Sequence, residues 1–324
     1  MRNPEGSGQP VRPGASALVA RDPNCHLFRL AYRPPYDWHA VLAFLEARAT
    51  PGVESVEARH YRRTIRLDGT SGLIDVYHDE PESALLLEVR FPDPGGLLSI
   101  VERVRRTFDL ESDPSVIAAH LASDSLLRGP LASHPGIRMP GAWDRFELAV
   151  RAVLGQQVSV RGATTIAGRM ALMFGSALAD DSGLNRLSPT PAQLAAAPLE
   201  SAGVMPARAH AIRVLARRVC DGTVSLGSCI DGRTAIAALR TVPGIGAWTA
   251  EYIAMRAFGE ADAFPSGDRV LRRAAGNVTA RELDRRADAW RPWRASAVML
   301  LWQQANDERG TPAGPPHAQS GRSN

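Results

Sequence analysis

Lysine is absent from this chain of 324 residues, and all 38 of its basic residues are arginines. Such a bias is typical of a GC-rich genome, but it also has a chemical consequence. A reaction that needs a lysine amine as its nucleophile is excluded, because no Schiff base can form on a lysine side chain. The formal net charge of +4 permits a phosphate-binding surface without proving one.

Cysteine is scarce, since Cys25, Cys220 and Cys229 are the only three and none of them forms a C-x-x-C pair. This pattern argues against a disulfide framework, a zinc site and the common four-cysteine iron–sulfur cluster. We therefore expect free thiols in a reducing cytosol, no metal bound by side chains and no other cofactor. The sequence also lacks the run of ~18 apolar residues of a membrane helix and the apolar core of a secretory signal.

Composition divides the chain into four parts. Residues 1–24 and 310–324 are rich in Gly, Pro and Ser, and we expect them to be disordered tails. Residues 25–110 combine two amphipathic helix patterns with three strand-like runs and short turns, which predicts a small α+β domain with an antiparallel sheet. The strand-like runs are Tyr61–Leu67, Leu73–His78 and Ala84–Phe91.

Residues 111–309 are nearly all helical in pattern, with Pro and Gly at the breaks and no fixed repeat. The candidate helices are Pro114–Ala122, Trp143–Leu154, Val160–Phe174, Pro191–Ala197, Ala207–Asp221, Asp231–Leu239, Thr249–Phe258, Asp268–Ala274, Ala280–Trp290 and Trp293–Ala305. We therefore expect a mainly all-α second domain.

One segment combines helix patterns with an unusual turn. Residues 238–258 predict a helix, a tight turn of sequence PGIG and a second helix. Its glycines, Gly244 and Gly246, leave backbone N–H groups unobstructed at the positive end of a helix, which suits a phosphate oxygen. Ile245 would anchor the turn in the core, and the Thr249 hydroxyl could bind the same phosphate. The alternative is an ordinary turn between two helices.

The PGIGxWTA string resembles the helix-hairpin-helix motif of DNA glycosylases, in which a catalytic Asp lies about twenty residues beyond the hairpin. Here Asp268 lies 22 residues after Gly246, in FPSGDRVLRR. The sequence also predicts a helix N-cap at Asp268, and the two interpretations are compatible because a helix N-terminus favours a charged carboxylate. Asp262 is the alternative carboxylate in this region.

The resemblance extends over almost the whole ordered chain. RLAYRPPYDW is similar to the start of AlkA-like 3-methyladenine DNA glycosylase II, WDRFELAVRAVLGQQVSV to its first core helix and DNA-entering loop, and WRPWRASAVMLLW to its closing helix. The resemblance implies an antiparallel sheet domain with two helices, followed by an all-α core in two subdomains with the active site between them. It further implies a monomeric base excision repair enzyme that flips alkylated bases out of double-stranded DNA.

For the site, the resemblance implies that Asp268 stabilises the oxocarbenium-like sugar and directs water to C1′. An alkylated purine such as 3-methyladenine is cationic and already a good leaving group, so this reaction needs no general acid. Trp248, Tyr252 and Trp302 match the family's aromatic pocket positions, where electron-rich rings would hold a cationic base. Core packing is the alternative role of these three rings.

Four positions bear on which reaction the protein catalyses and on which substrates it accepts. Relatives with strand-cleaving lyase activity carry Lys at the hairpin position of Trp248, so Trp here predicts an enzyme that only removes the base. Gln156 and Gln157 match the loop that fills the gap left by the flipped base, against the alternative of a plain inter-helix turn. Some members carry Leu in place of Gln157 and an aromatic residue in place of Arg269, which leaves the substrate range open.

Further contacts with DNA are expected around the hairpin. Arg240, Arg269 and Arg272 are candidate phosphate contacts, with a solvated surface charge as the alternative for each. In the family, backbone carbonyls near the hairpin can hold a monovalent cation, and the matching residues are Arg240, Val242 and Ile245.

Three other functions compete with this interpretation. A non-catalytic helix-hairpin-helix DNA-binding module would leave Asp268 dispensable. A glycosylase for oxidised bases or mismatched adenine usually needs the lysine or the four-cysteine cluster that this sequence lacks. For a regulatory protein fused to a glycosylase-like domain, we expect no methyl-accepting cysteine domain ahead of Cys25.

Overall fold

The computed structural model describes residues 24–179, 183–227 and 230–310, with side chains as far as residue 308. The two predicted tails therefore lie almost entirely outside the described residues, and Cys229 lies outside them as well. Cys25 and Cys220 are free thiols. No helix in the described ranges is long and apolar enough to span a membrane.

The N-terminal part contains a five-stranded antiparallel sheet. Its strands are β1 (Cys25–Ala31), β2 (Glu54–Glu57), β3 (His60–Leu67), β4 (Thr70–Asp79) and β5 (Ala84–Arg90). The spatial order is β1-β5-β4-β3-β2, so the three predicted strands form the centre and the two unpredicted ones form the edges. The predicted antiparallel sheet is confirmed. The edge strands were missed because they bury little, and their sequences therefore carry weak alternation.

The turn between β3 and β4 shows how local sequence sets the register of the sheet. Asp68 and Gly69 form a two-residue loop with φ of 48° and 83°, as a type I′ hairpin turn requires. The loop pairs Leu67 with Thr70. This register directs alternate residues of β3 and β4 inward, where Ile65 and Val76 are buried.

Two helices cover one face of the sheet. Helix α1 (Trp38–Glu46) follows its N-cap, Asp37, whose side chain accepts a hydrogen bond from the Ala40 N–H. Helix α2 (Leu97–Thr107) packs Ile100 and Val104 into the core that the sheet and both helices share. The predicted α+β arrangement with two helices is thus observed.

The remainder of the described chain is helical. Its helices are α3 (Pro114–Leu121), α4 (Ser125–Ser133), α5 (Arg145–Leu154), α6 (Val160–Phe174), α7 (Pro191–Leu194), α8 (Pro206–Cys220), α9 (Gly232–Leu239), α10 (Ala247–Phe258), α11 (Arg269–Ala274), α12 (Ala280–Ala287) and α13 (Arg294–Gly310). Helix α4 was not predicted, because Gly129 and Pro130 read as a break although the structure holds Pro130 inside the helix. Helix α13 continues past Ala305, where the sequence pattern placed its end.

Helix α10 joins two separate hydrophobic cores. Ala250 and Ile253 pack into a core with α5 and α8, whereas Ala254 and Met255 pack into another with α12 and α13. Helix α10 is therefore packed by a hydrophobic core on two of its sides. The helical part therefore has the two predicted subdomains, with this helix between them.

A buried ion-pair cluster fixes the sheet to the helical part. The Arg63 side chain is only 4% exposed; its Nη2 donates to Glu147 Oε2 at 2.8 Å, and its Nη1 lies 3.5 Å from Glu54 Oε1. Tyr61 Oη donates to the same oxygen of Glu54. Burial raises the pKa of the Glu147 carboxyl even though Arg63 opposes the shift. Both carboxylates therefore depend on Arg63 for their charge balance.

Replacing Arg63 by Met is expected to lower the free energy of unfolding by about 3–5 kcal/mol, because Glu54 and Glu147 would remain buried without a countercharge. The loss should shrink as the pH falls toward ~4, where carboxyl groups accept protons. Urea denaturation at several pH values measures both effects. The matched control is Arg29→Met, which breaks an exposed pair with Glu82 and should change stability far less. Equal losses in the two variants would contradict the buried cluster's role.

Candidate active site

The predicted hairpin is formed by α9, the PGIG turn and α10. Gly244 has a φ of +87°, and a Cβ at this position would lie 2.9 Å from the Ala211 Cβ. Both facts require glycine here. Ile245 is buried, as its predicted role as an anchor of the turn requires.

Gly246 is the N-cap of α10, and no side chain caps this helix end. A Cβ at Gly246 would meet nothing within 4 Å, so the space in front of the first helical turn is open. The start of a twelve-residue helix therefore faces open space with its positive dipole end. This geometry suits an anion such as a DNA phosphate.

Gln156 connects its loop to the hairpin. Its Nε2 donates to the Gly244 carbonyl and to Thr249 Oγ1, both at 2.9 Å. Thr249 is 3% exposed, and its hydroxyl accepts the hydrogen bond from Gln156 inside the protein. The contacts of Gln156 and Thr249 with DNA stay predictions, and the contacts observed here give both residues a role in holding the loop against the hairpin.

Gln157 projects from this loop in an unusual conformation. It is exposed and has a φ of +56°, a region that residues other than glycine adopt uncommonly. Val158 and Val160 beside it are also exposed, at 37% and 43%. The exposed residues 157–160 thus include two apolar side chains, Val158 and Val160, at the rim of the pocket described below.

Asp268 lies where α11 begins and receives four N–H groups. Its Oδ1 accepts from the backbone N–H groups of Val270 and Leu271 at 2.8 and 3.0 Å, and from Trp302 Nε1 at 3.3 Å. Its Oδ2 accepts from Trp248 Nε1 at 3.3 Å. Because all four partners are donors, the ionised carboxylate, which only accepts hydrogen bonds, fits this environment. The predicted N-cap is confirmed.

The three predicted pocket rings lie together and partly exposed. Trp248 and Tyr252 stack with their centroids 5.5 Å apart and an angle of 11° between planes, and Tyr252 is tilted against Trp302 at 6.2 Å. Trp248 and Tyr252 are in direct contact, so a flipped base would lie against free ring faces instead of between these two.

These residues line one cavity of about 690 Å³ between the sheet domain and the helical subdomains. The cavity is lined by Asp268 and the three rings, and also by Phe44 of α1 and by Arg48 in the turn after α1. Sequence reasoning missed both, since they are ordinary residues of an amphipathic helix and only the tertiary fold brings α1 to the cavity. A second cavity, of about 770 Å³, lies at the far end of α10 and contains none of the predicted site residues.

The alternative carboxylate, Asp262, has a different environment. It is 9% exposed and is bound by Arg291 and Arg294, with Arg233 at 3.5 Å. The three guanidinium groups contact both oxygens of its carboxylate, and Asp262 does not line the 690 Å³ cavity. Asp262 is therefore a structural ion-pair residue.

The predicted phosphate contacts lie at the surface near the hairpin and α11. Arg240 and Arg269 are exposed, whereas Arg272 is half-buried and donates from Nε to the Val278 carbonyl. Among the carbonyls considered for a cation, that of Val242 accepts from the Ile245 N–H at 3.1 Å. The cation stays a prediction. The described part of the chain brings no three His, Cys, Asp or Glu side chains together as a metal site.

The hairpin, the capped aspartate and the helical subdomains around them define the fold of the helix-hairpin-helix DNA glycosylases. The solved structure of a 3-methyladenine DNA-glycosylase from Archaeoglobus fulgidus matches with a TM-score of 0.76 at 22% identity, over 86% of this chain and 98% of that one. The AlkA N-terminal domain model matches residues 27–144.

Sequence relatives narrow the class to one family. The chain is 33% identical over 279 residues to DNA-3-methyladenine glycosylase 2 of Escherichia coli, over 85% of this chain and 96% of the relative. It belongs to the AlkA family of DNA-3-methyladenine glycosylases. A probable bifunctional transcriptional activator/DNA repair enzyme AlkA of Mycobacterium tuberculosis is 38% identical over 281 residues, and the chain spans 56% of that relative's length.

Proposed function

We propose that this protein is a monofunctional DNA glycosylase that hydrolyses the N-glycosidic bond of alkylated bases, 3-methyladenine foremost, in double-stranded DNA. The observation that carries the proposal is the Asp268 carboxylate at one end of an aromatic cavity, held by Trp248, Trp302 and the start of α11. The names of the Escherichia coli and Archaeoglobus fulgidus relatives support the substrate. We further propose that it acts as a monomer in the bacterial cytosol.

The two oxygens of Asp268 have unequal freedom, which suggests their roles. Oδ1 accepts three hydrogen bonds from the protein, whereas Oδ2 accepts one, from Trp248. Oδ2 therefore has more acceptor capacity left for a water molecule than Oδ1 has. In the proposed reaction, the charge of Asp268 stabilises the oxocarbenium-like sugar while Oδ2 orients water toward C1′.

The DNA backbone would be bound at a distance from the N-glycosidic bond that is broken. The open N-terminus of α10 at Gly246 would bind a backbone phosphate, with Gly244 keeping the turn close to the helix. Gln157 at the exposed tip of its loop would occupy the gap that the flipped base leaves. Arg240, Arg269 and Arg272 would add electrostatic attraction for the phosphates.

The absence of lysine predicts base removal without strand cleavage. Incubation with a duplex that contains 3-methyladenine should release the free base, and strand breaks should appear only after alkali opens the abasic site. Chromatography measures the released base, and denaturing electrophoresis with and without alkali measures the breaks. Breaks that appear without alkali at the rate of base release would contradict the monofunctional mechanism. Binding of the duplex without any base release would favour a non-catalytic DNA-binding module instead.

A further inference from the structure

The proposed base pocket has two electrically different ends. Asp268 supplies a negative charge at one end. At the other end, Arg48 in the turn after α1 and Arg256 of α10 approach the phenol oxygen of Tyr252. The ring of Tyr252 lies between these two ends and contacts both Trp248 and Trp302.

Arg256 forms the fixed part of the positive end. Its guanidinium donates to the carbonyls of Pro140 and Gly141 and, from Nη1 at 3.0 Å, to Tyr252 Oη. The side chain is 3% exposed and cannot turn toward a ligand without losing these bonds. Arg256 therefore acts on the pocket mainly through its charge and through Tyr252.

Arg48, which is half-buried, forms the second part of the positive end. Its guanidinium lies over the Phe44 ring at 3.7 Å, and its Nη1 donates to the Phe44 carbonyl at 3.0 Å. Burial, together with the neighbouring charges of Arg256 and Arg151, lowers the pKa of Arg48 to about 10, so the side chain stays cationic at neutral pH. Since one Nη atom is engaged with Phe44, other N–H groups remain for Tyr252 and for a ligand.

The positive charges at this end lack direct carboxylate partners. Among the described ion pairs, none includes Arg48, Arg151 or Arg256; the nearby buried carboxylates, Glu54 and Glu147, are both engaged by Arg63. Burial alone would raise the pKa of the Tyr252 phenol, but the three arginine charges outweigh it and the pKa is lowered. The end of the pocket opposite Asp268 is thus cationic.

This polarity matters because the glycosidic bond breaks with its electron pair moving to the base. A base that is neutral in DNA departs as an anion, whereas an alkylated base that is cationic in DNA departs neutral. Water then adds to C1′ of the sugar. When the base was neutral in DNA and departs as an anion, the proton that this water loses ends on the base. A cationic group near the far edge of the base therefore stabilises the departure of a neutral base and opposes the binding of a cationic one.

We propose that Arg48 is a selectivity residue of this pocket, which shifts base excision toward neutral damaged bases that present a hydrogen-bond acceptor at the edge remote from the sugar. The inference rests on the proposed glycosylase function and deepens it. Arg48 would donate to that acceptor and offset the negative charge that develops on the departing base. Its guanidinium lies over the Phe44 ring, and both residues line the pocket.

The test compares a neutral and a cationic base in the same duplex sequence. Single-turnover rates are measured for hypoxanthine, which is neutral and has a keto acceptor, and for 7-methylguanine, which is cationic. For Arg48→Met, the ratio of the hypoxanthine rate to the 7-methylguanine rate should fall about tenfold. Arg48→Lys keeps the charge and should hold the ratio within about threefold of the original. Arg29→Met, a change on β1 in an exposed ion pair, is the matched control and should leave the ratio unaltered.

The outcomes separate this inference from the proposed function. An unchanged ratio in Arg48→Met, an equal loss of both rates, or the same fall in Arg48→Lys as in Arg48→Met would overturn the selectivity role. Arg48→Gln, whose amide can still donate to the Phe44 carbonyl, gives the same comparison if the Met variant folds poorly. If the unmodified protein releases neither base nor 3-methyladenine, the proposed function fails, a result independent of residue 48.

Discussion

Asp268→Asn is expected to reduce base release by about a thousandfold or more, since the negative charge opposite the developing sugar cation is removed. Binding of undamaged duplex should change little, because Asp268 lies in the cavity and not at the hairpin. Single-turnover release of 3-methyladenine and fluorescence anisotropy with an undamaged duplex measure the two quantities separately.

The variant should fold, because Asn retains most of the contacts of Asp268. An amide oxygen in place of Oδ1 can accept from Val270 and Leu271, and Asn caps helices about as well as Asp. The amide nitrogen would face the Trp248 indole N–H, donor against donor. This single mismatch predicts a loss of about 1 kcal/mol in unfolding free energy, far too little to explain an inactive enzyme.

Two other Asp→Asn changes serve as controls. Asp231 caps α9 as Asp268 caps α11, by accepting from a backbone N–H, and its replacement should leave base release intact. Asp262→Asn breaks the cluster with Arg291 and Arg294, and should reduce stability more than the rate of the folded enzyme. Undiminished release by Asp268→Asn, or a comparable loss of release by Asp231→Asn, would refute the catalytic assignment.

Gly246→Asp is expected to have opposite effects on stability and on DNA binding. The backbone of Gly246 already has N-cap geometry, with φ of −83° and ψ of 178°, and nothing obstructs a side chain there. An Asp at this position would cap α10 and raise its stability by a few tenths of a kcal/mol. The same carboxylate would occupy the expected phosphate position and repel the DNA, so affinity should fall by roughly tenfold or more.

Thermal unfolding and anisotropy titrations at several salt concentrations test this pair of effects. Gly246→Ser is the matched variant, because a hydroxyl caps the helix without adding a charge, and it should weaken binding less than Asp does. The affinity of the Asp variant should also depend less steeply on salt concentration, by about the contribution of one phosphate contact. Equal affinities of both variants and the original protein would show that the start of α10 does not bind DNA.

Features with a strong local cause were predictable from the sequence. The cap at Asp268, the hairpin glycines and the central strands each follow from a few neighbouring residues, and the structure has all of them. Helix α4 was missed because tertiary packing of Leu127 and Leu131 outweighs the local preference of Gly129-Pro130.

Features that depend on distant parts of the chain could not be predicted. Phe44 and Arg48 lie more than 200 residues before Asp268, and only the packing of α1 and the turn after it against the helical part brings them to the same cavity. The hydrogen bond between Gln156 and Thr249 has the same origin, since it joins residues that are far apart in the chain.

Helix α10 carries the Gly246 turn at its start and the rings of Trp248 and Tyr252 within its first two turns. At 1.5 Å per residue, Tyr252 lies about 9 Å along the axis from Gly246. Both cores pack against this helix, so the span between the two features is fixed. With a phosphate at Gly246 and a base against the rings, as proposed above, the helix would act as a rigid spacer, and only a nucleotide at this displacement from the bound phosphate would reach the rings.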